Sequence, residues 1–231
     1  MDVAAAFSNN GGEFIIEPSA LTQKLKGIKV LLFDWDGVFH AGHKNENRSS
    51  TFSEADSMGI NMLRFCYYLM NGEAPYTAII TGENNETAYH WAKRENLNHV
   101  FYGVKDKVQI LRWLEENQGI NKVEVLFVFD DILDLSLAKE SSVRYMVNRD
   151  SGIMLKNTCK AEGLCDYITA NDAGNHALRE LCEMTIALNG KWEDIISHRV
   201  SFSDTYTAYL SERNSNTPEF YTIKNREVVK V

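Results

Sequence analysis

The sequence predicts an α/β protein built on a Rossmann-like, doubly wound parallel sheet, and three observations carry that prediction. Short apolar runs alternate with longer segments of helical period along most of the chain. Two of the runs, 28-IKVLLF-33 and 124-EVLFVF-129, are almost continuously apolar, as strands covered on both faces must be. Several runs also stop abruptly at polar, chemically capable side chains, which is where open α/β sheets place their ligand sites.

The elements follow in chain order. Residues 1–27 read as an N-terminal extension, with a turn at 8-SNNGG-12 and room for a short strand and helix in 13-EFIIEPSALTQKLKG-27. The main unit spans 28–190. Its strands are expected at 28–33, 76–81, 99–103, 124–129, 143–148 and 166–169, and its helices at 59–70, 85–96, 105–119, 134–141, 154–163 and 176–190. This alternation requires βαβ crossovers, with helices on both faces of the sheet. One connection breaks the pattern. Residues 39–56 separate the first strand from its helix and exceed the roughly 2–6 residues of an ordinary βα turn. They are read as a projecting β-hairpin with its tip at 45–48, a plain surface loop being the alternative. Residues 191–231 are polar and aromatic without a clear period, and read as a C-terminal extension.

Composition narrows the function classes. A net charge of -8 supplies no basic field, which disfavours nucleic acid or an anionic membrane as partner. It leaves room for an anionic small molecule if a cation sits in the site. Cys66, Cys159, Cys165 and Cys182 form no C-x-x-C pair, so neither a zinc site nor a redox motif is indicated. The N-terminal segment has no basic region followed by a secretory apolar stretch, and no run approaches the roughly 18 apolar residues of a membrane span. A cytoplasmic protein with reduced thiols is the expectation.

The candidate chemistry lies at the strand ends. Asp34 and Asp36 follow the first strand, Thr81 and Gly82 the second, Lys105 and Lys107 the third, and Asp130, Asp131 and Asp134 the fourth. If the strands are neighbours, these side chains converge on one crevice. Carboxylates brought that close repel, and burial sharpens the repulsion. A bound Mg²⁺, which prefers hard oxygen ligands, would relieve it. Cation, lysine and threonine hydroxyl together make a pocket for a phosphoryl group. One aspartate could then attack that group and a second carboxyl could move a proton.

Asp34-x-Asp36-Gly37-Val38, Thr81-Gly82, Lys107 and Asp130-Asp131-x-x-Asp134 resemble, in order and spacing, the four motifs of the haloacid dehalogenase superfamily of phosphatases. The stretches 51-TFSEADSMGI-60, 79-IITGE-83, 101-FYGVKDK-107 and 169-TANDAGNHALRELCE-183 are similar to its cap-less branch. That branch includes 3-deoxy-D-manno-octulosonate 8-phosphate phosphatases and related nine-carbon keto sugar acid phosphatases. The resemblance covers about residues 28–190. It implies a haloacid dehalogenase-like fold and a Mg²⁺-dependent phosphoric monoester hydrolase with a phosphorylated keto sugar acid as substrate. It also implies a homotetramer in which a neighbour closes each site against the 39–56 hairpins.

The resemblance further implies roles. Asp34 would be the nucleophile and Asp36 the acid/base, its main-chain carbonyl touching the metal. Asp34 and Asp130 would ligate Mg²⁺ directly, with Asp131 and Asp134 in the surrounding shell. Thr81 would hydrogen-bond the phosphoryl group and Lys107 would neutralise its charge. Lys105 is the rival lysine, but Lys107 keeps the Gly-x-x-x-Lys spacing from Gly103. Substrate contacts would come from Gly82, Glu83, Asp56 and Arg94. Glu83 followed by Arg94 eleven residues on could place the pair on one helix face to read a sugar acid, or Glu83 could simply complement a helix N-terminus.

Two departures stand out. The branch has glycine where this chain has Phe129, just before the second aspartate cluster, and Leu-Thr-Asp-Gly where it has Phe39-His40-Ala41-Gly42. A Phe129 ring crowding the metal would favour the rival reading, a non-catalytic oligomerisation scaffold beside a sugar-nucleotide pathway. His40 and His43 read as solvated hairpin histidines.

Overall fold

A computed structural model of the chain describes residues 2–46 and 49–231. The central parallel strands are β2 (Val30–Phe33), β3 (Tyr76–Ile80), β4 (His99–Tyr102), β5 (Val125–Phe129), β6 (Val143–Asn148) and β7 (Tyr167–Asp172). Each expected strand is present, within a few residues of its predicted bounds. The helices between them are α3 (Glu54–Asn71), α4 (Glu86–Arg94), α5 (Val108–Gln118), α6 (Leu135–Ala138) and α7 (Ile153–Ala161), with α8 (Ala177–Leu188) closing the series. Both ends of the chain extend the same framework. At the N-terminus come α1 (Val3–Asn9), β1 (Glu13–Phe14) and α2 (Pro18–Leu25). At the C-terminus come α9 (Trp192–Val200), α10 (Asp204–Ser215), β8 (Glu219–Lys224) and β9 (Glu227–Lys230).

These strands form one sheet in the order β1-β7-β6-β5-β2-β3-β4-β8-β9. Pairing is parallel from β7 through β8, while β1 and β9 run antiparallel at the two edges. Strand alternation divides the apolar side chains into two cores. Leu31, Phe33, Leu126 and Val128 join one cluster, and Val30, Leu32, Phe127 and Phe129 join the other. The winding of the sheet reverses at β2: β3 lies on one side of it and β5 on the other. The ends of these three strands therefore open into a shared crevice.

The terminal segments are packed parts of this unit. Residues 191–231, aperiodic in sequence, form two helices and a β-hairpin that adds to the β4 edge. Buried Tyr206 and Tyr209 fasten α10 to α3: Tyr209 Oη donates to Asn61 Oδ1 at 2.9 Å, and Asn61 Nδ2 donates to Tyr206 Oη at 3.0 Å. The helix α3 begins at Ser53, whose Oγ accepts from the Ala55 and Asp56 N–H groups, and lies against α8. Gly59 permits the close approach, since a Cβ there would stand 3.2 Å from the Arg179 Cα.

Among the described residues, 39–53 contain no strand pair where a hairpin was expected. The tip at 45–48 lies partly outside the described residues. Asn45 and Ser49 close a turn, with Asn45 N–H donating to the Ser49 carbonyl at 3.1 Å. The returning arm is tied down at Ser50, whose hydroxyl accepts from Trp35 Nε1 at 3.0 Å and whose carbonyl accepts from Thr87 Oγ1 at 2.9 Å. Among the described residues, polar groups of the returning arm bond to loop and helix groups.

Candidate active site

The crevice holds a cleft of about 670 Å³ lined by Asp34, Asp36, Lys107, Asp130, Asp131 and Asp134 among others. Three carboxylates converge at its floor: oxygens of Asp34, Asp130 and Asp134 lie within 4.8 Å of one another, and all three residues are buried. Lys107 enters between them. Its Nζ donates to Asp34 Oδ1 at 2.6 Å and makes a second, shorter bond to Asp134 Oδ1. Asp134 also accepts from the Asp131 N–H at 3.1 Å, which folds the turn after β5 back over the site.

The electrostatics follow from burial. Desolvation and the Asp134 charge push the Asp34 carboxyl up to about 7, against the pull of Lys107. Desolvation, then Asp34 and Asp134, push Asp130 up to about 8, against Arg149. Burial would lower the Lys107 ammonium, but the two aspartates outweigh it and hold it above its ordinary value. Asp36 differs. Burial would raise it, yet hydrogen bonds from His40 and Lys44 more than compensate and keep it below the usual carboxylate range.

Asp130 is bonded on one oxygen and bare on the other. Its Oδ2 pairs with Arg149 Nη2, while its Oδ1 is buried with no hydrogen-bond partner. Gly37 makes the pairing possible: a side chain there would run into both Asp130 Oδ2 and the guanidinium. A buried carboxylate oxygen without a hydrogen-bond partner, on a residue grouped with two further buried carboxylates, makes a set of hard oxygen donors that fits Mg²⁺.

Most of the residues singled out in sequence meet here. Lys107 is buried against Asp34, whereas Lys105 lies at the exposed rim, paired with Glu83 at 2.7 Å. Gly82 and Glu83 line the cleft. Thr81 is buried at the end of β3 and its hydroxyl oxygen accepts from the Glu83 N–H at 3.3 Å. Asp131 caps the turn after β5 and is half exposed, 3.6 Å from Arg149.

Two substrate-contact expectations do not hold geometrically. Asp56 is 1% exposed, does not line the cleft, and accepts from the Arg179 N–H at 2.9 Å, joining α3 to α8. Arg94 is also outside the cleft; it binds Glu54 and Glu95 and covers the Phe52 ring. Asn85 caps α4, so Glu83 precedes the helix and shares no helix face with Arg94. The Phe129 ring is fully buried, stacks on Phe127 and belongs to the core beneath the cleft. It does not crowd the carboxylates.

One residue was misread in sequence and two went unread. His40 is 4% exposed rather than solvated and bonds Asp36. Lys44 reaches Asp36 Oδ2 at 2.7 Å from the long connection. Arg149 arrives at Asp130 from the end of β6. None carries a local signal, because each contact is made by folding and not by spacing.

No family model matches the chain. The 3-deoxy-D-manno-octulosonate 8-phosphate phosphatase KdsC of Salmonella typhimurium is 25% identical over 183 residues, covering 78% of this chain and 89% of that protein. A Legionella pneumophila structure named for a HAD-superfamily (subfamily III A) hydrolase superposes with a TM-score of 0.65 at 26% identity, over 79% of this chain and 95% of that one. In sequence and fold the chain resembles the haloacid dehalogenase superfamily. A further relative is the 3-deoxy-D-manno-octulosonate 8-phosphate phosphatase of Moraxella catarrhalis, solved with magnesium, phosphate and KDO. It superposes with a TM-score of 0.63 at 26% identity, over 79% of this chain and 98% of that one.

Proposed function

We propose that the protein is a Mg²⁺-dependent phosphoric monoester hydrolase acting on a phosphorylated keto sugar acid. The substrate would be an octulosonate 8-phosphate or a nine-carbon sialic-type acid 9-phosphate. The observation that carries this reading is the buried trio of Asp34, Asp130 and Asp134 around Lys107, with Asp130 Oδ1 lacking a partner. Residues 28–190 carry the chemistry, and the packed flanks 1–27 and 191–231 support it.

Asp34 is the nucleophile. A carboxylate oxygen attacks phosphorus, the ester P–O bond breaks, and Asp36, which takes up a proton once substrate displaces Lys44, gives that proton to the departing sugar oxygen. Asp36 then takes a proton from water, whose oxygen attacks the aspartyl-phosphate and releases phosphate and the Asp34 carboxylate. Lys107 holds positive charge against Asp34 throughout, and Thr81 offers its hydroxyl to a phosphoryl oxygen. Asp34, Asp130 and the Asp36 main-chain carbonyl would hold Mg²⁺, with Asp131 and Asp134 around them; when bound, it supplies charge neutralisation to phosphoryl transfer. Glu83 and Lys105 at the rim are the groups placed to meet the sugar acid. A homotetramer in the cytoplasm completes the reading.

The scaffold alternative rested on Phe129, whose ring lies in the core and leaves the cleft open. The test is phosphate release from a panel of eight- and nine-carbon keto acid phosphates with Mg²⁺. Turnover of one of them, abolished by chelator, is expected; no release from any member would overturn the substrate class.

A further inference from the structure

Asp36 is held by a histidine that stands where the related branch has threonine. The turn after β2 winds back on itself: Phe39 N–H donates to the Trp35 carbonyl at 3.0 Å and Gly37 N–H to the His40 carbonyl at 3.0 Å. This return brings the His40 ring under Asp36, where it is 4% exposed and packed beside Trp35 at 6.1 Å between ring centroids. The Gly42 N–H donates to His40 Nδ1 at 3.1 Å. Nδ1 is therefore an acceptor, so the proton of the neutral ring sits on Nε2. Nε2–H then donates to Asp36 Oδ1 at 3.0 Å.

The two oxygens of Asp36 are thereby made unequal. Oδ1 is anchored inward on a buried ring whose tautomer is fixed from behind. Oδ2 is turned to the cleft, where the cleft-lining Lys44 meets it at 2.7 Å. Lys44 is a long side chain on the connecting segment and can yield its place to an incoming ester oxygen. His40 is too enclosed to do so.

We propose that His40 is a positioning residue for proton transfer: by binding Oδ1, it aims Oδ2 of Asp36 at the leaving-group oxygen. The inference rests on the phosphatase reading above, with Asp36 as the general acid. His40 never touches substrate. Loss of its N–H would leave Asp36 free to rotate, and a misplacement of about 1 Å can cost about 100-fold in a proton-transfer step.

The test is the dependence of kcat/KM on the leaving group, measured with Mg²⁺ on aryl phosphates running from 4-nitrophenyl through phenyl to 4-methoxyphenyl. kcat/KM reports the first irreversible step, which forms the phosphoenzyme, so the later hydrolysis does not enter. His40→Phe keeps the ring volume and removes the donor; His40→Gln restores an N–H. Good leaving groups depart without a proton and poor ones need it. The expected result for His40→Phe is a loss within about threefold on the 4-nitrophenyl ester that grows to about 30–100-fold on the 4-methoxyphenyl ester. His40→Gln should recover at least about tenfold of it. An equal loss on every ester, or none, would overturn the inference while the phosphatase reading stands. A wild-type protein that hydrolyses neither these esters nor any of the keto acid phosphates overturns both. Unchanged circular dichroism and melting temperature in His40→Phe exclude misfolding; if that variant is unfolded, His40→Leu, which also lacks the donor, takes its place in the same series, a flat ratio to wild type sinking the inference.

Discussion

The ends of β2 and β5 look alike in sequence, each an apolar run broken by two nearby aspartates, yet the fold treats them differently. At the β2 end both aspartates have cations in contact: Lys107 on Asp34, and Lys44 beside His40 on Asp36. At the β5 end Asp130 keeps one oxygen for Arg149 and leaves the other buried and bare. The first pair is dressed for chemistry, with Asp36 held low and partly open to the cleft. The second is poised to bind a cation, its carboxyl driven up to about 8 mainly by desolvation. On the proposed reading, the same pattern at two neighbouring strand ends would serve as nucleophile and proton carrier at one and as metal ligand at the other.

Changing one end at a time should break this comparison most visibly in activity. Asp34→Asn is expected to lower phosphate release by on the order of a thousandfold or more at any Mg²⁺ concentration, the scale on which removal of a covalent nucleophile acts. Asp130→Asn should also fail at low Mg²⁺, but regain part of its rate as Mg²⁺ is raised, because its defect is in cation binding. If both variants respond alike to Mg²⁺, the division of labour is wrong.

Phe129 tests the boundary between the β5 end and the core. Its ring stacks on Phe127 at 5.8 Å between centroids and is fully buried. Phe129→Ala should cost about 3–5 kcal/mol of stability in chemical denaturation, as large-to-small core changes do. The KM of the folded fraction should stay near the wild-type value, since the ring does not line the cleft.

The pH dependence of stability separates Asp36 from Asp34 and Asp130. Asp34 and Asp130 hold protons in the folded metal-free protein that the unfolded chain has already released, so the unfolded state binds fewer protons and stability falls as pH rises. The fall should run from the ordinary carboxylate value of 3.8 up through about 7 and 8. Melting temperatures of the metal-free protein should drop by a few degrees across that window, at about 2–4 °C per kcal/mol for a chain of this size, and Mg²⁺ should cancel the drop. Asp36 works with the opposite sign: its lowered carboxyl contributes stability above 3.8 that is lost only in acid. A metal-free melting temperature that climbs from neutral to pH 8 would contradict the assignment of the raised carboxyls. The smallest expected effect is at Arg94, outside the cleft: Arg94→Ala should change KM by less than about threefold, where surface substitutions act.

Much of this was legible in the sequence, for identifiable reasons. The doubly covered strands announce themselves as apolar runs, and, if they are neighbours, their ends bring Asp34, Asp36, Lys107 and Asp130 to one crevice. The edges were not legible. The pair 219-EFYTIK-224 and 227-EVVK-230 has no strong alternation because every residue in it is half buried or exposed, and β1 is two residues long. The Glu83–Arg94 reading failed because it assumed a helix beginning at Glu83, whereas Asn85 caps α4 and turns Glu83 toward the cleft. His40 looked like a surface histidine because no spacing rule shows a turn folding back on itself. Arg149 lies 19 residues from Asp130 in sequence and meets it through sheet geometry.

The central claim is that Asp34 carries the phosphoryl group between substrate and water. The most direct measurement is intact-protein mass after acid quench of a single turnover with Mg²⁺ and a turned-over ester, followed by peptide mapping. The expected result is one added phosphoryl group, labile to hydroxylamine, mapped to Asp34 and missing from Asp34→Asn. Hydrolysis that proceeds with no phosphoenzyme at any time, or with the label on another residue, would contradict the account.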